Sequence, residues 1–210
     1  MSIGMEPTAT IDLPPQRHPQ PAPRERILAA ARELLFCHGI RAVGVDAIAE
    51  AAGTNKMTLY RHFASKDELV AECLRQLAAE KDAAWDALSA AHPGDPQGEL
   101  QAWLGLVDQY LMKLEKRGCA LANAAVELPD KDHPARRIIE QSKTKHRERL
   151  SRLCRDAGLA EPERLADEIF LLIEGARISL QSVGPGGPGS RLSPMLQTLI
   201  REHSRPMAGI

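Results

Sequence analysis

Three features of the sequence predict an all-α fold. Alanine and leucine dominate its apolar runs, within a composition that is 43% hydrophobic but only 3% aromatic; both residues lose little freedom on entering a helix. No window sustains the apolar–polar alternation of a half-buried strand. Apolar residues instead recur at three- and four-residue spacing between glycine and proline breakers, as in amphipathic helices. The length, 210 residues, suffices for one large domain or two small ones sharing a core.

Residues 1–22 carry Pro7, Pro14, Pro15, Pro19 and Pro21 with little apolar periodicity. They read as a disordered arm, either passive or able to follow a DNA groove. A helix is expected from about Arg24 to His38, with Ile27, Ala31, Leu34 and Leu35 on one face and Gly39 as its stop. A short helix follows over about Val45–Ala52, broken by Gly53. Asn55 is placed to cap a third helix over Lys56–His62. Ser65, with Glu68 three residues on, has the spacing of a capping box and opens a longer helix toward Leu88.

"HPGDP" at residues 92–96 ends this half of the chain, and Asp95–Pro96 starts a helix expected to reach about Lys116. A short segment, Cys119–Leu128, precedes the loop "PDKDHP". Pro134 then opens a long helix to about Asp156. After Gly158 and Pro162, "ERLADEIFLLIEGARISLQSV" forms another helix, stopped by "GPGGPG". A last helix over about Leu192–His203 carries Leu192, Met195, Leu196 and Leu199 as one stripe. The expected organisation is an arm (1–22), a small helical domain (23–70) and a larger one (71–210).

Cys37, Cys73, Cys119 and Cys154 lie far apart with no C-x-x-C pair, which excludes a zinc-site spacing and a disulfide framework. They read as small buried hydrophobes. No apolar run nears 18 residues and no basic-then-apolar leader opens the chain, so a cytoplasmic location off the membrane is expected. The formal net charge is −1, but its distribution is lopsided. Residues 17–66 hold eight basic residues against four acidic ones, which leaves 19 against 24 for the remainder. A basic amino-terminal region on an acidic body is the footprint of a nucleic-acid contact.

That contact is best placed in "VDAIAEAAGTNKMTLYRHFASKDEL", residues 45–69. A helix-turn-helix needs a small residue where two helices cross, a glycine at the turn and an aliphatic anchor in the second helix. Ala49, Gly53 and Leu59 fill these roles, with Ile48, Ala52 and Phe63 completing an apolar interior. When Leu59 and Phe63 turn inward, Lys56, Met57, Thr58, Tyr60, Arg61 and His62 face outward. Asn55, Lys56, Met57 and Thr58 sit at the helix N-terminus, the end that reaches base edges in a major groove. Cations and hydroxyls supply phosphate contacts, and Lys66 is placed for another.

The string from about Arg24 to Leu74, including "ILAAARELLFCHGI" and above all "TLYRHFASKDEL", resembles the tetracycline-repressor (TetR) family of transcriptional regulators. The resemblance implies base or phosphate contacts at Lys56, Met57, Thr58 and Tyr60, and phosphate contacts at Arg61, His62 and Lys66. Four positions depart from the family's pattern. Leu35 replaces a usual phenylalanine, Gly44 a common capping threonine, Asn55 a frequent serine, and Met57 a frequent glycine that bears on what the helix reads. The family implies a homodimer on a palindromic double-stranded DNA operator, released by a small organic effector.

In the second half, Trp103, Val107 and Tyr110 share a helix face with Leu111, and Cys119, Asn123 and Glu127 recur at i, i+4. Together they are candidates for an effector pocket, with plain core as the alternative. In residues 165–183, Leu165, Ile169, Leu172, Ile173, Ala176 and Leu180 form one apolar face. Phe170, Leu171 and Ile178 lie off it and, with Met195 and Leu199, are candidates for a dimer interface. His62, His92, His133 and His146 are scattered and no H-E-x-x-H or G-x-S-x-G string occurs, so no enzyme, cofactor or metal is expected. A thiol- or metal-sensing regulator using Cys119 or Cys154 as the sensor is the rival within the same class.

Overall fold

A computed structural model describes residues 21–112 and 118–204. Most of the proline-rich arm, and the expected end of the helix toward Lys116, lie outside the described residues. The described residues form helices joined by turns: α1 (Pro23–His38), α2 (Val45–Ala51), α3 (Lys56–His62), α4 (Lys66–Ala91), α5 (Pro96–Met112), α6 (Ala120–Glu127), α7 (Pro134–Asp156), α8 (Pro162–Val183) and α9 (Leu192–His203). A 3₁₀ turn, Pro188–Arg191, precedes α9.

Local chemistry sets the helix starts. The Asn55 side chain accepts the Thr58 N–H at 2.9 Å, and Ser65 Oγ accepts that of Glu68 at 3.1 Å. Asp95 Oδ1 accepts the Gly98 N–H at 2.9 Å at the start of α5. Gly44 precedes α2 with no side chain to offer, so that helix begins uncapped.

Two apolar cores follow. The first gathers Ile27, Leu28, Ala31 and Leu35 of α1, Ile48 and Ala49 of α2, Leu59 and Phe63, and Leu69, Val70, Ala71, Cys73 and Leu74 of α4. It continues into Leu121 and Ala124 of α6 and Ala135 and Ile139 of α7, so the amino-terminal helices share their core with the body. The second joins Trp85 of α4, Leu100, Trp103 and Leu104 of α5, Leu150, Leu153 and Cys154 of α7, and the buried faces of α8 and α9. Helix α4 spans both; its 26 residues make a rod of about 39 Å. One end of α9 is tied back where Ala160 N–H donates to the His203 carbonyl at 2.9 Å. Among the described residues no helix is long and apolar enough to cross a membrane.

Candidate nucleic-acid interface and effector cavity

The motif predicted from Ile48, Ala49, Gly53, Leu59 and Phe63 is assembled as a unit. Ile48 and Leu59 are fully buried, and Ala49, Ala52 and Phe63 nearly so. Gly53 turns the chain at φ +61°, a conformation that costs a side-chain-bearing residue but not glycine. Arg26 Nε holds the end of α2 by donating to the Ala52 carbonyl at 3.1 Å. Phe63 is covered by the Arg24 guanidinium, 5.2 Å from its ring centroid, a cation–π contact.

With Leu59 and Phe63 inward, α3 turns Asn55, Lys56, Met57, Tyr60, Arg61 and His62 to solvent, with Thr58 half-buried. Met57 is 77% exposed, far more than an apolar side chain needs for packing. Lys56 Nζ pairs with Asp46 Oδ2 at 3.2 Å, but both groups are solvated, so the lysine is easily exchanged onto a phosphate. The surface thus offers hydroxyl, guanidinium and ammonium donors at a helix N-terminus, the equipment for phosphate and base-edge contact.

Lys66 is placed differently from the others. Its Nζ donates to the Ile40 carbonyl at 2.5 Å and the side chain is half-buried, so it fixes the turn between α1 and α2. The same turn is gripped from the other side by Glu127. That carboxylate accepts the backbone N–H of Ile40 at 2.6 Å and of Arg41 at 3.3 Å, while Arg41 Nε donates to the Glu127 carbonyl at 3.0 Å. Glu127 was expected in an effector pocket on its i, i+4 spacing with Cys119 and Asn123. The structure sets it at the junction of the two halves instead, because α6 lies across the end of α1. Asn123 lies near it, beside Leu35, Phe36 and Ile40 rather than on the large cavity.

That cavity, about 300 Å³, is lined by residues of α4, α5, α6, α7 and α8. Three expected residues line it: Trp103, Val107 and Tyr110. So do residues that no sequence spacing singled out, chief among them Lys81, Trp85, Lys143, Glu174 and Arg177, with His146. Trp85 and Trp103 lie 5.6 Å apart between ring centroids, and the His146 ring stands edge-on to Trp85 at 4.9 Å. Burial, with the charges of Lys81, Arg177 and Lys143, pushes the His146 pKa down to about 4. At neutral pH its ring is therefore uncharged.

The cationic wall is held together by one carboxylate and one phenol. Glu174 accepts Lys143 Nζ at 2.7 Å and also Arg177 Nη1. The Tyr110 ring lies between Lys81 Nζ, 5.3 Å from its centroid, and the Arg177 guanidinium at 5.5 Å. Burial also draws the Lys81 pKa below its ordinary value. Cys119 is buried just behind this wall, its Sγ 3.7 Å from Lys81 Nζ. Burial raises the pKa of its thiol, yet Lys81, Arg177 and Lys143 outweigh it and the net direction is down. Cys73 and Cys154 are the inert hydrophobes expected, with burial raising both to about 12. Cys37 is only half-buried.

Two of the five dimer candidates face inward. Phe170 lines the cavity with Lys143 Nζ 5.4 Å from its ring, and Leu199 packs partly against the second core. Leu171, Ile178 and Met195 are exposed, and Val183 joins them.

The sequence profile described as "Bacterial regulatory proteins, tetR family" matches residues 27–73, the whole of the motif. Over 60 residues the chain is 42% identical to the HTH-type transcriptional activator FasR of Mycolicibacterium smegmatis, a match covering 29% of this chain and 27% of that one. It is 23% identical over 152 residues to the HTH-type transcriptional regulator YjdC of Escherichia coli, covering 72% of this chain and 80% of the relative. Among solved structures, SCO4454, a TetR-family transcriptional regulator from Streptomyces coelicolor, is similar with a TM-score of 0.77 and 26% identity over 87% of this chain and 96% of the other. A tetR-type regulator from Streptomyces avermitilis gives a TM-score of 0.71 and 29% identity over 89% and 100% of the two chains.

Proposed function

We propose that this chain, a member of the tetR family of bacterial regulatory proteins and a DNA-binding transcriptional regulator, acts as a repressor released by a small-molecule effector. Two copies hold their α3 helices about 34 Å apart, one turn of B-DNA, on a palindromic operator. The observation that carries this is the outward face of α3: Lys56, Met57, Tyr60, Arg61 and His62 exposed on a helix anchored by buried Leu59 and Phe63. One short helix has too little contact area for tight specific binding, so a second copy is required. The exposed apolar side chains Leu171, Ile178 and Met195 are the surface offered for it.

The route from effector to operator runs through α6. Leu121 lines the cavity, and Glu127, near the other end of the same helix, holds Ile40 and Arg41 just ahead of α2. A ligand that displaces α6 therefore moves the turn that orients the motif, and shifts the population by its differential affinity for the two arrangements.

The test is specific binding of the full chain to a palindrome from its own genome. Binding should weaken steeply with salt, and both Tyr60→Phe and Lys56→Ala should weaken it. Absence of binding at low salt would end this reading. The sign of control is a separate question, because FasR is described as an activator; a promoter–reporter assay with the operator in place distinguishes the two.

A further inference from the structure

The cavity holds more positive charge than its own carboxylates balance. Arg149 is matched at the rim by Asp86 at 2.6 Å, and Asp82 takes Lys145 at 2.6 Å. Deeper in, among the described residues, Glu174 is the one carboxylate paired with Lys143 and Arg177, and no carboxylate pairs with Lys81. Arg177 Nε is buried without a hydrogen-bond partner. A half-buried ammonium whose nearest described hydrogen-bond partner is the Cys119 thiol, and a buried guanidinium N–H without an acceptor, both raise the free energy of the empty site. Each is relieved by the same chemistry: an oxyanion, which a guanidinium and ammonium groups bind by charge-assisted hydrogen bonds.

The rest of the wall is aromatic and apolar. Trp85, Trp103, Phe170 and Ile173 line the same space, and His146 joins them as an uncharged ring. A volume of about 300 Å³ lies at the lower end for small-molecule sites and suits a body of one or two rings. We infer that the cavity takes a small aromatic carboxylic acid as its anion, with the carboxylate on Lys81, Lys143 and Arg177 and the ring system against Trp85, Trp103 and Phe170. This rests on reading the cavity as the effector site, and it goes further by naming the ligand's charge and shape. Aromatic amines are disfavoured by the same wall that holds the acid.

The two tryptophans of the chain both line the cavity, so their fluorescence reports occupancy without any DNA present. The full-length protein is titrated with 4-phenylbutyrate, 4-phenylbutyramide and 4-phenylbutylamine, which share a body and differ in charge. The acid should bind about tenfold or more tighter than the amide, and the amine should bind weakest. Lys81→Met removes a cation that no described carboxylate pairs with, so its fold should persist, and it should cut the acid's advantage over the amide severalfold. Arg177→Gln should do the same; if that variant fails to fold, Lys81→Met and the matched probes decide. Equal binding of acid and amide, preference for the amine, or no response to the acid up to about 10 mM overturns the inference. So does an acid preference that survives Lys81→Met. The regulatory reading fails separately: acid that binds without changing operator affinity refutes release by this site but leaves the site itself standing. A neutral compound that releases DNA where the acid does not bind refutes the acid alone.

Discussion

The Glu127 carboxylate accepts the backbone N–H of Ile40 at 2.6 Å, joining residues 87 positions apart in the chain. Ile40 is buried, and Lys66 Nζ takes its carbonyl from the other side, so one peptide segment is held at both its donor and its acceptor. Glu127→Ala leaves a buried N–H without that partner and should cost about 1–3 kcal/mol in urea unfolding. Glu127→Gln, which keeps an acceptor oxygen, should cost less. Faster hydrogen exchange at the Ile40 amide in the alanine variant is the local check.

On the outward face of α3, charge and shape should separate by assay. Lys56→Ala is expected to weaken binding about uniformly across sequences and to lower the salt slope by about 1. Met57→Ala, at a position 77% exposed beside the helix N-terminus, should alter base preference with little change in that slope. Binding profiles on an operator library at two salt concentrations measure both.

His146 makes stability depend on pH. Its folded-state pKa is pushed down to about 4 from an ordinary 6.5, by burial first and then by Lys81, Arg177 and Lys143. The unfolded chain therefore binds the extra proton between those values. The stability is full above pH 6.5, falls as pH drops toward 4, and the loss levels off below that at about 3 kcal/mol. Urea unfolding of the native chain and of His146→Gln at pH 7.5 and pH 4.5 should show a smaller pH difference in the variant.

Two glycines should respond to alanine for different reasons. At Gly189 an added Cβ would lie 2.7 Å from Leu180 Cγ and 2.9 Å from the Ala176 carbonyl oxygen, so α8 and the 3₁₀ turn must part. Gly189→Ala should cost about 1–3 kcal/mol. At Gly53 the added methyl meets nothing within 4 Å, and only the φ of +61° resists it. Gly53→Ala should cost about 1–2 kcal/mol. Thermal unfolding of both variants tests the pair.

The amino-terminal helices were legible because their determinants are local. Asn55, Ser65 and Gly53 act within three or four residues, and the apolar spacing of Ile48, Leu59 and Phe63 is enough to say which side of α3 stays wet. The cavity was half legible. Trp103, Val107 and Tyr110 come from one helix, whereas Lys81, Lys143, Glu174 and Arg177 come from three others, and no spacing links them. A trace existed nonetheless: Lys81 interrupts the stripe Leu74, Leu77, Trp85, Leu88 on α4, and His146 interrupts Ile139, Leu150, Leu153 on α7. A polar residue inside an apolar stripe must be met by something across the helix, and here that is the cavity.

By itself the sequence determined the helices, their caps, the glycine elbow and the exposed face of α3, since each is a matter of neighbours within a turn or two of chain. Tertiary packing alone decided that Glu127 clasps Ile40 instead of lining a pocket, that Phe170 points inward, and that Lys143 and Arg177 share the Glu174 carboxylate. The physical reason is that periodicity tells which side of a helix avoids water, while the partner met there depends on how rods from distant parts of the chain cross.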